Sequence, residues 1–385
     1  MLPDPHRRDF LATAGAVGLG LAAGQPARGD DPPLAPPDKQ PPDLKVPEAP
    51  PKTVGWAVVG LGKLALEEVM PAFQKCKLSK PVALVSGHPD KAKKVAAAYG
   101  IDPKNIYDYQ TFDKLAENPA VQVVYVILPN SMHAEYTVRA HKAGKHVLCE
   151  KPMAPTSAEC EQMIAAGKEA KRKLMVAYRL RYEPFNQYAI AQCQTKAIGK
   201  LKGIVATNGQ DTRAPNIRLS KDLKGGPLPD VGIYCLNAAR YLTGEEPVEV
   251  TAMAHQPKDD PRFREVPESV FFTLRFPGGT IANCDCSFGV AETRHFRVEG
   301  AAGRIDLENA FAYRGQRLFV DAGGRRSEVK FQPVDHFQAE MEHFSECVLN
   351  DQPPRTPGEE GLADLRAIEA IEEAARTGKV VKVRA

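Results

Sequence analysis

The chain contains no apolar run of the roughly 18 residues that a membrane-spanning helix needs. Its 51 basic and 48 acidic residues leave a net charge of only +3, so charge gives no reason to expect a nucleic-acid partner. The eight cysteines show no C-x-x-C spacing, which indicates buried thiols rather than a metal site or a disulfide framework. The length of 385 residues and the hydrophobic content of 43% are typical of a globular protein with two domains.

Residues 1–29 are predicted to be an export signal. The sequence HRRDFL at 6–11 precedes a run of small and apolar residues at 12–23 that is too short for a good membrane span. An arginine pair before such a run is typical of a twin-arginine signal, so we expect a periplasmic or otherwise exported protein. The alternative is a disordered N terminus with a chance arginine pair.

Residues 30–52 are predicted to be a proline-rich arm. Nine prolines lie between residues 31 and 52, with almost no large apolar side chains, so this segment cannot form a core. An extended polyproline-like chain reaches about 3.1 Å per residue, enough to lie across a neighbouring subunit. We therefore expect a homo-oligomer, a dimer or tetramer, with exchanged arms. A plain linker is the alternative.

Residues 53–178 alternate between strand and helix patterns. Strands are predicted at 54–59, 82–86, 121–128, 145–149 and 173–177, with helices at 63–75, 89–99, 111–117, 131–143 and 156–171. Right-handed βαβ units at this spacing predict a Rossmann domain, an α/β doubly wound parallel sheet.

Residues 179–385 are predicted to form a second, α+β domain. A helix near 230–242 precedes strand patterns at 247–256, 268–276, 279–288, 294–300, 303–308 and 316–321. Consecutive strands of this kind predict a large, mostly antiparallel sheet. Helices are predicted to close the chain at 335–350 and 357–377.

The first predicted strand runs into a glycine turn. Gly60, Gly62 and Ala65 form a G-x-G-x-x-A pattern between a strand and a helix that begins near Lys63. In this context the pattern predicts a dinucleotide site, because the glycines allow close approach of a pyrophosphate and the helix N terminus favours negative charge.

The end of the second predicted strand favours NADP over NAD. An NAD site usually places an acidic residue there for the ribose 2′-hydroxyl. This chain instead offers the hydroxyl of Ser86 and the ammonium of Lys91, which suit a 2′-phosphate. The alternative is that Lys91 is one more solvated lysine beside Lys93 and Lys94.

Three further residues are candidates for catalysis. Lys151 follows the fifth predicted strand, and ligands of doubly wound sheets lie at the carboxyl ends of strands. Asp230 and Tyr234 stand one helical turn apart, on the same face. Their ordinary interpretations are a turn lysine, an N-cap aspartate and a packed tyrosine.

These motifs together resemble the Gfo/Idh/MocA family of oxidoreductases. The likeness rests on GLGKLA at 60–65, EKP at 150–152 and D-x-x-x-Y at 230–234, and it extends through ILPNS at 127–131 and PGEEG at 357–361. It covers nearly all of residues 55–381 and is greatest to the glucose–fructose oxidoreductase branch. One departure is the region 211–230, which is shorter than in that branch and lacks its tryptophan before Arg218. The resemblance implies that residues 179–385 serve substrate binding and oligomerisation and that 211–230 shape the sugar pocket, so the identity of the substrate stays open.

The resemblance implies a set of site residues. Lys151, Asp230 and Tyr234 would be catalytic, with Tyr234 as the general base beside the ammonium of Lys151. The cofactor contacts would be Gly60, Leu61, Gly62, Lys63 and Leu64 at the pyrophosphate, Ser86, Gly87 and Lys91 at the 2′-phosphate, Tyr109, Leu128, Pro129, Asn130 and His133 along the adenosine and ribose, and Glu150, Lys151, Arg179 and Arg218 at the nicotinamide.

The implied function is that of an NADP-dependent sugar oxidoreductase. It would oxidise an aldose at C1 to its lactone and reduce a second sugar with tightly bound NADP. Alternatives within the same chemistry are an aldose–aldose oxidoreductase and a dehydrogenase with exchangeable NADP. A non-catalytic NADP-binding sensor subunit is the alternative from another class, and the intact Lys151 and Tyr234 argue against it.

Overall fold

The computed structural model describes residues 52–384. The predicted export signal and all but the last residue of the predicted arm lie outside this range. Within it, no helix is both long enough and apolar enough to cross a membrane.

The first sheet has six parallel strands in the order β3-β2-β1-β4-β5-β6. These strands are β1 (Val54–Val59), β2 (Ser79–Val85), β3 (Ile106–Tyr107), β4 (Val123–Val126), β5 (His146–Cys149) and β6 (Leu174–Val176). Five of them were predicted, and every residue of β1 and β4 is buried, as expected for strands covered on both faces. Only the two-residue edge strand β3 was missed.

Helices connect these strands on both faces of the sheet. They are a π-helical turn (Ala65–Val69) leading into α1 (Met70–Phe73), α2 (Pro89–Tyr99), a 3-10 helix (Phe112–Glu117), α3 (His133–Lys142) and α4 (Ser157–Ala170). Their positions agree with the predicted helices, and α2 agrees residue for residue. A further helix, α5 (Pro184–Gln194), was not predicted.

The second sheet has nine strands in the order β14-β13-β12-β11-β7-β10-β9-β8-β15. They are β7 (Leu201–Asp211), β8 (Glu249–His255), β9 (Ser269–Arg275), β10 (Ile281–Ser287), β11 (Gly289–Gly300), β12 (Gly303–Glu308), β13 (Arg317–Ala322), β14 (Arg325–Val329) and β15 (Val381–Lys382). Only the pair β7 and β10 is parallel. The predicted fold class, a Rossmann sheet plus a mostly antiparallel α+β sheet, is confirmed.

Three helices complete the fold: α6 (Ile233–Thr243), α7 (His336–Leu349) and α8 (Gly358–Thr377). Helix α7 packs back on the first sheet, where the indole nitrogen of Trp56 donates to the hydroxyl of Ser345 at 3.1 Å. The ring of Phe344 meets Trp56 edge-on at 5.9 Å. A helix from the end of the chain therefore belongs to the core of the dinucleotide-binding sheet, and the chain order alone did not predict this.

Candidate active site

The glycine turn follows β1 at the carboxyl edge of the first sheet. Gly60 has φ +93°, and a Cβ built on it would lie 2.2 Å from the carbonyl oxygen of Ile127. Only glycine tolerates both the conformation and this close approach between strand ends. A Cβ on Gly62 would meet nothing within 4 Å, so the second glycine faces open space. The chain is helical from residue 63, and the amide of Leu66 donates to the carbonyl of Gly62 at 3.1 Å.

The residues predicted to hold the 2′-phosphate lie beside this turn. The ammonium of Lys91 reaches back from α2 and donates to the carbonyl of Leu61 at 3.3 Å. The hydroxyl of Ser86 accepts from the amide of His88 at 3.1 Å. A Cβ on Gly87 would lie 3.1 Å from the ring of Tyr109, so a glycine is needed for this ring to close the side of the groove.

Two other predicted cofactor contacts are engaged with the protein itself. His133 is buried, and its ring nitrogens lie 2.7 Å from the carbonyl of Pro152 and 2.8 Å from that of Leu128. Burial lowers the pKa of its imidazole. The amide nitrogen of Asn130 donates to the carbonyl of Lys224 at 2.8 Å, which joins the first sheet to the loop before α6. The contacts of both side chains with a cofactor stay predictions.

Lys151, Asp230 and Arg218 form one cluster where β5 meets the second part of the chain. The ammonium of Lys151 donates to the carbonyl of Asp230 at 2.7 Å and lies 3.5 Å from its carboxylate. The guanidinium of Arg218 contacts the other carboxylate oxygen at 2.7 Å. The structure thus brings Lys151 together with Arg218 and Asp230, which lie 67 and 79 positions further along the chain. The N-cap interpretation of Asp230 is wrong, because its carboxylate makes these ion pairs and caps no helix.

Electrostatics in this cluster favour the charged forms. Burial opposes ionisation of Asp230, but the positive charges of Lys151 and Arg218 outweigh it and lower the pKa of the carboxyl. Burial would likewise lower the pKa of Lys151, yet the neighbouring Tyr234 and Asp230 raise it overall. The site therefore presents a fixed ammonium and a fixed carboxylate.

Tyr234 lies in the first turn of α6 with two cations near its ring. The ammonium of Lys151 is 4.6 Å from the ring centroid, and the guanidinium carbon of Arg179 is 5.4 Å from it. Arg179 is buried and fixed by three partners, namely the carbonyls of Phe311 and Ala312, at 2.7 and 3.2 Å, and the ring of His336, at 3.0 Å. This arrangement holds a phenol next to two positive charges at the carboxyl edge of the sheet.

Sequence reasoning missed Tyr313, which the turn between β12 and β13 brings to the same place. The guanidinium of Arg179 is 4.4 Å from its ring, and Phe337 meets the ring at 5.3 Å. Burial and the proximity of Tyr234 raise the pKa of Tyr313 to about 12. Its side chain is nevertheless 41% exposed, so it borders the open cleft. No motif marks this tyrosine, because only the hairpin brings it near Lys151.

The predicted site residues thus lie along one edge of the first sheet. The glycine turn, Ser86, Gly87, Lys91 and Tyr109 form the half predicted to bind adenosine, and the half predicted to bind nicotinamide contains Glu150, Lys151, Arg179, Arg218, Asp230 and Tyr234. These residues are compatible with an NADP molecule, since Gly62 leaves room for a pyrophosphate and Lys91 brings a positive charge to the side of the glycine turn.

This fold and this edge define a nicotinamide-dependent oxidoreductase. A family model described as the oxidoreductase family with an NAD-binding Rossmann fold matches residues 54–178, and the model of its C-terminal domain matches residues 187–306. The chain belongs to the Gfo/Idh/MocA oxidoreductase family, as the sequence predicted.

Individual relatives agree. The chain is 32% identical over 341 residues to D-xylose 1-dehydrogenase [NADP(+)] of Haloarcula marismortui, covering 86% of this chain and 93% of the relative. A crystal structure of aldose–aldose oxidoreductase from Caulobacter crescentus superposes with a TM-score of 0.84 at 45% identity, covering 86% of this chain and all of the other. A 3-ketoreductase from Actinomadura kijaniata with NADP shares the fold, with a TM-score of 0.76 at 24% identity, over 84% of this chain and 98% of its own.

The prediction of an NADP-dependent oxidoreductase acting on sugar CH–OH groups is confirmed at this level. Because these relatives are enzymes, an enzyme is preferred over the alternative of a non-catalytic sensor subunit.

Proposed function

We propose that this enzyme oxidises an aldose at C1 to its lactone and then reduces a second sugar with the same, tightly bound NADP. The observation that carries the proposal is the convergence of Lys151, Asp230 and Tyr234 at the carboxyl edge of the Rossmann sheet. When bound there, NADP supplies the hydride acceptor and donor. The chain must then position the sugar and move one proton.

Each of the three residues has a distinct part in this scheme. Tyr234 takes the proton of the anomeric hydroxyl as the general base, and the cations of Lys151 and Arg179 lie beside its ring. Lys151 keeps its positive charge, with its ammonium 4.6 Å from the centre of the Tyr234 ring. Asp230, held by Lys151 and Arg218, offers fixed acceptor oxygens that orient sugar hydroxyls. In the second half-reaction Tyr234 returns the proton to the acceptor sugar.

The acceptor is proposed to be a second aldose, with a ketose as the alternative. The 45% identical aldose–aldose oxidoreductase supports the aldose. The short region 211–230, which departs from the glucose–fructose pattern, supports the same choice because Arg218 from this region borders the site. The 32% identical D-xylose dehydrogenase supports a second candidate, oxidation of one aldose with exchangeable NADP.

Absorbance of the purified protein separates these possibilities. We expect bound nicotinamide, reduction of it by a single aldose without added NADP, and reoxidation when a second sugar is added. Ping-pong kinetics with two sugars should follow. Strict dependence on added NADP, with an apoenzyme after purification, would instead support the dehydrogenase.

Cofactor retention fits an exported enzyme, and we propose that residues 1–29 direct twin-arginine export after NADP has bound inside the cell. Outside it there is no pool of free NADP to replace a lost molecule. The arm at 30–52 would then lie over the bound nucleotide of a neighbouring subunit, since a proline-rich segment loses little conformational entropy when it docks.

The open face of the second sheet supports the proposed homo-oligomer. Met253, Phe271 and Ile281 project from it with 77%, 55% and 44% of their surface exposed. Exposed apolar patches of this kind mark interaction surfaces. Deleting residues 1–52 is expected to make NADP dialysable and to weaken the assembly, as measured by bound nucleotide and solution mass. Unchanged nucleotide content and mass would refute the role of the arm.

A further inference from the structure

A pair of buried carboxyl groups next to Lys151 has no part in the chemistry above. Glu150 directly follows β5, and helix α7 brings Glu340 to the same place from the end of the chain. Glu150 is 8% exposed and Glu340 is completely buried. The hydroxyl of Tyr125 lies between them, 2.7 Å from a carboxylate oxygen of Glu150 and 3.4 Å from one of Glu340.

This arrangement leaves the pair short of one proton donor. The phenol of Tyr125 has a single proton and bonds Glu150 at the shorter distance. The second carboxylate oxygen of Glu340 has no hydrogen-bond partner within residues 52–384. Two ionised carboxylates so placed would repel each other without water to screen them, and sharing a proton relieves this.

Too few positive charges surround the pair to balance two ionised glutamates. The groups that face Glu150 or Glu340 are the cations Lys151 and Arg179, the phenols Tyr125, Tyr182 and Tyr313, and the acid Asp335. Lys151 is already paired with Asp230. Burial raises the pKa of both Glu150 and Glu340. The charge of Lys151, together with that of Arg179, only partly offsets this for Glu150, and the charge of Arg179 only partly offsets it for Glu340.

We propose that Glu340 is a positioning residue that shares one proton with Glu150 through Tyr125. The pair then carries a single negative charge beside Lys151 and Arg179, and the shared hydrogen bonds hold Glu150 in one orientation next to the catalytic lysine. The proposal concerns the NADP-dependent chemistry of the family, and it does not depend on which sugars react.

The first test is the pH dependence of stability in Glu340→Gln. Glutamine has the charge and shape of a protonated glutamate and still accepts from Tyr125. The shared proton is held only in the folded state. Its contribution to the stability of the fold is complete below the ordinary glutamate pKa of about 4.3, and it is lost as the pH rises through the raised pKa of the pair. We expect the Tm of Glu340→Gln, relative to wild type, to rise by a few degrees between about pH 5 and pH 9.

Glu346→Gln is the matched control, since Glu346 lies on the same helix and is exposed. Its Tm difference from wild type should stay constant across the same range. We expect the rate of NADPH formation with D-xylose or D-glucose to decline at alkaline pH in wild type, as the pair gives up its proton, and this decline should be lost in Glu340→Gln but kept in Glu346→Gln. A flat Tm difference and an unchanged profile would overturn the proposal.

Infrared spectroscopy tests the shared proton even if Glu340→Gln does not fold. Wild type at mildly alkaline pH should show the carbonyl stretch of a protonated carboxylic acid, and Glu150→Gln or Glu340→Gln should remove or shift it. If the wild-type band is absent, or persists unchanged in the folded variants, the two carboxyl groups share no proton.

Discussion

Replacing Lys151 with methionine tests the centre of the proposed mechanism. Methionine fills the space of the lysine stem but removes the ammonium that lies 2.7 Å from the carbonyl of Asp230 and 4.6 Å from the ring centroid of Tyr234. We expect turnover to fall by about 100-fold or more, equivalent to about 2.7 kcal/mol of transition-state stabilisation. The loss should appear in kcat, because the charge of the lysine assists the proton transfer to Tyr234.

The fold should survive this change. The Lys151 side chain is 11% exposed, and Asp230 keeps its contact with Arg218 at 2.7 Å. The cost in stability should therefore stay below the about 3–5 kcal/mol typical of a buried ion pair that loses one partner. Lys93→Met is the matched control, since the side chain of Lys93 is 70% exposed, and it should leave both turnover and stability unchanged.

The pH profile adds a second measurement on Lys151→Met. Lys151 and Arg218 together lower the pKa of the Asp230 carboxyl against the effect of burial. With one cation removed this pKa must rise. The acidic limb of kcat/KM should therefore move to higher pH in the residual activity, while Lys93→Met should match wild type. Near-normal turnover, or an acidic limb that stays in place, would refute the assigned role of Lys151.

Three further predictions concern single residues of the same edge. Tyr234→Phe should bind NADP normally yet lose about 100-fold or more in turnover, and a rate close to wild type would exclude it as the general base. Lys91→Ala should weaken the preference for NADP over NAD by about 1.5–3 kcal/mol, whereas Lys93→Ala should not, as relative affinities for the two cofactors will show. Gly60→Ala should destabilise the apoenzyme, because its Cβ would clash, while Gly62→Ala should lower NADP affinity without lowering the apoenzyme Tm; equal behaviour of the two variants would contradict the cradle geometry.

Local pattern was sufficient for the dinucleotide-binding half. Its strands are buried on both faces and read as continuous apolar runs, and its helices begin and end at ordinary signals, such as Pro89 at the start of α2 and Gly100 at its end. The glycine turn could be identified because a backbone with φ +93° and no room for a Cβ admits one residue type. The position of Lys151 followed from the rule that ligands lie at strand ends.

The second sheet was harder to predict where its strands lack a clean alternation. Strand β7 was missed because Gly203 and Gly209 interrupt its alternating pattern. Its buried face also lacks a clear apolar pattern, because it combines Ile204 and Ala206 with the polar Asn208. Its place in the sheet, between β10 and β11, depends on pairing with strands far along the chain. Such non-local hydrogen bonds leave little trace in a short window of sequence.

The sequence by itself determined the family and the cofactor and predicted the residues proposed for the chemistry, because each of these depends on local backbone geometry or on a short motif. Only the tertiary structure decided what surrounds them. It placed Arg179 and Tyr313 against Tyr234, turned Asp230 from a possible helix cap into the partner of two cations, and brought Glu340 from the penultimate helix to Glu150. Charges interact through space and according to burial, and neither distance nor burial can be read from the order of residues along a chain.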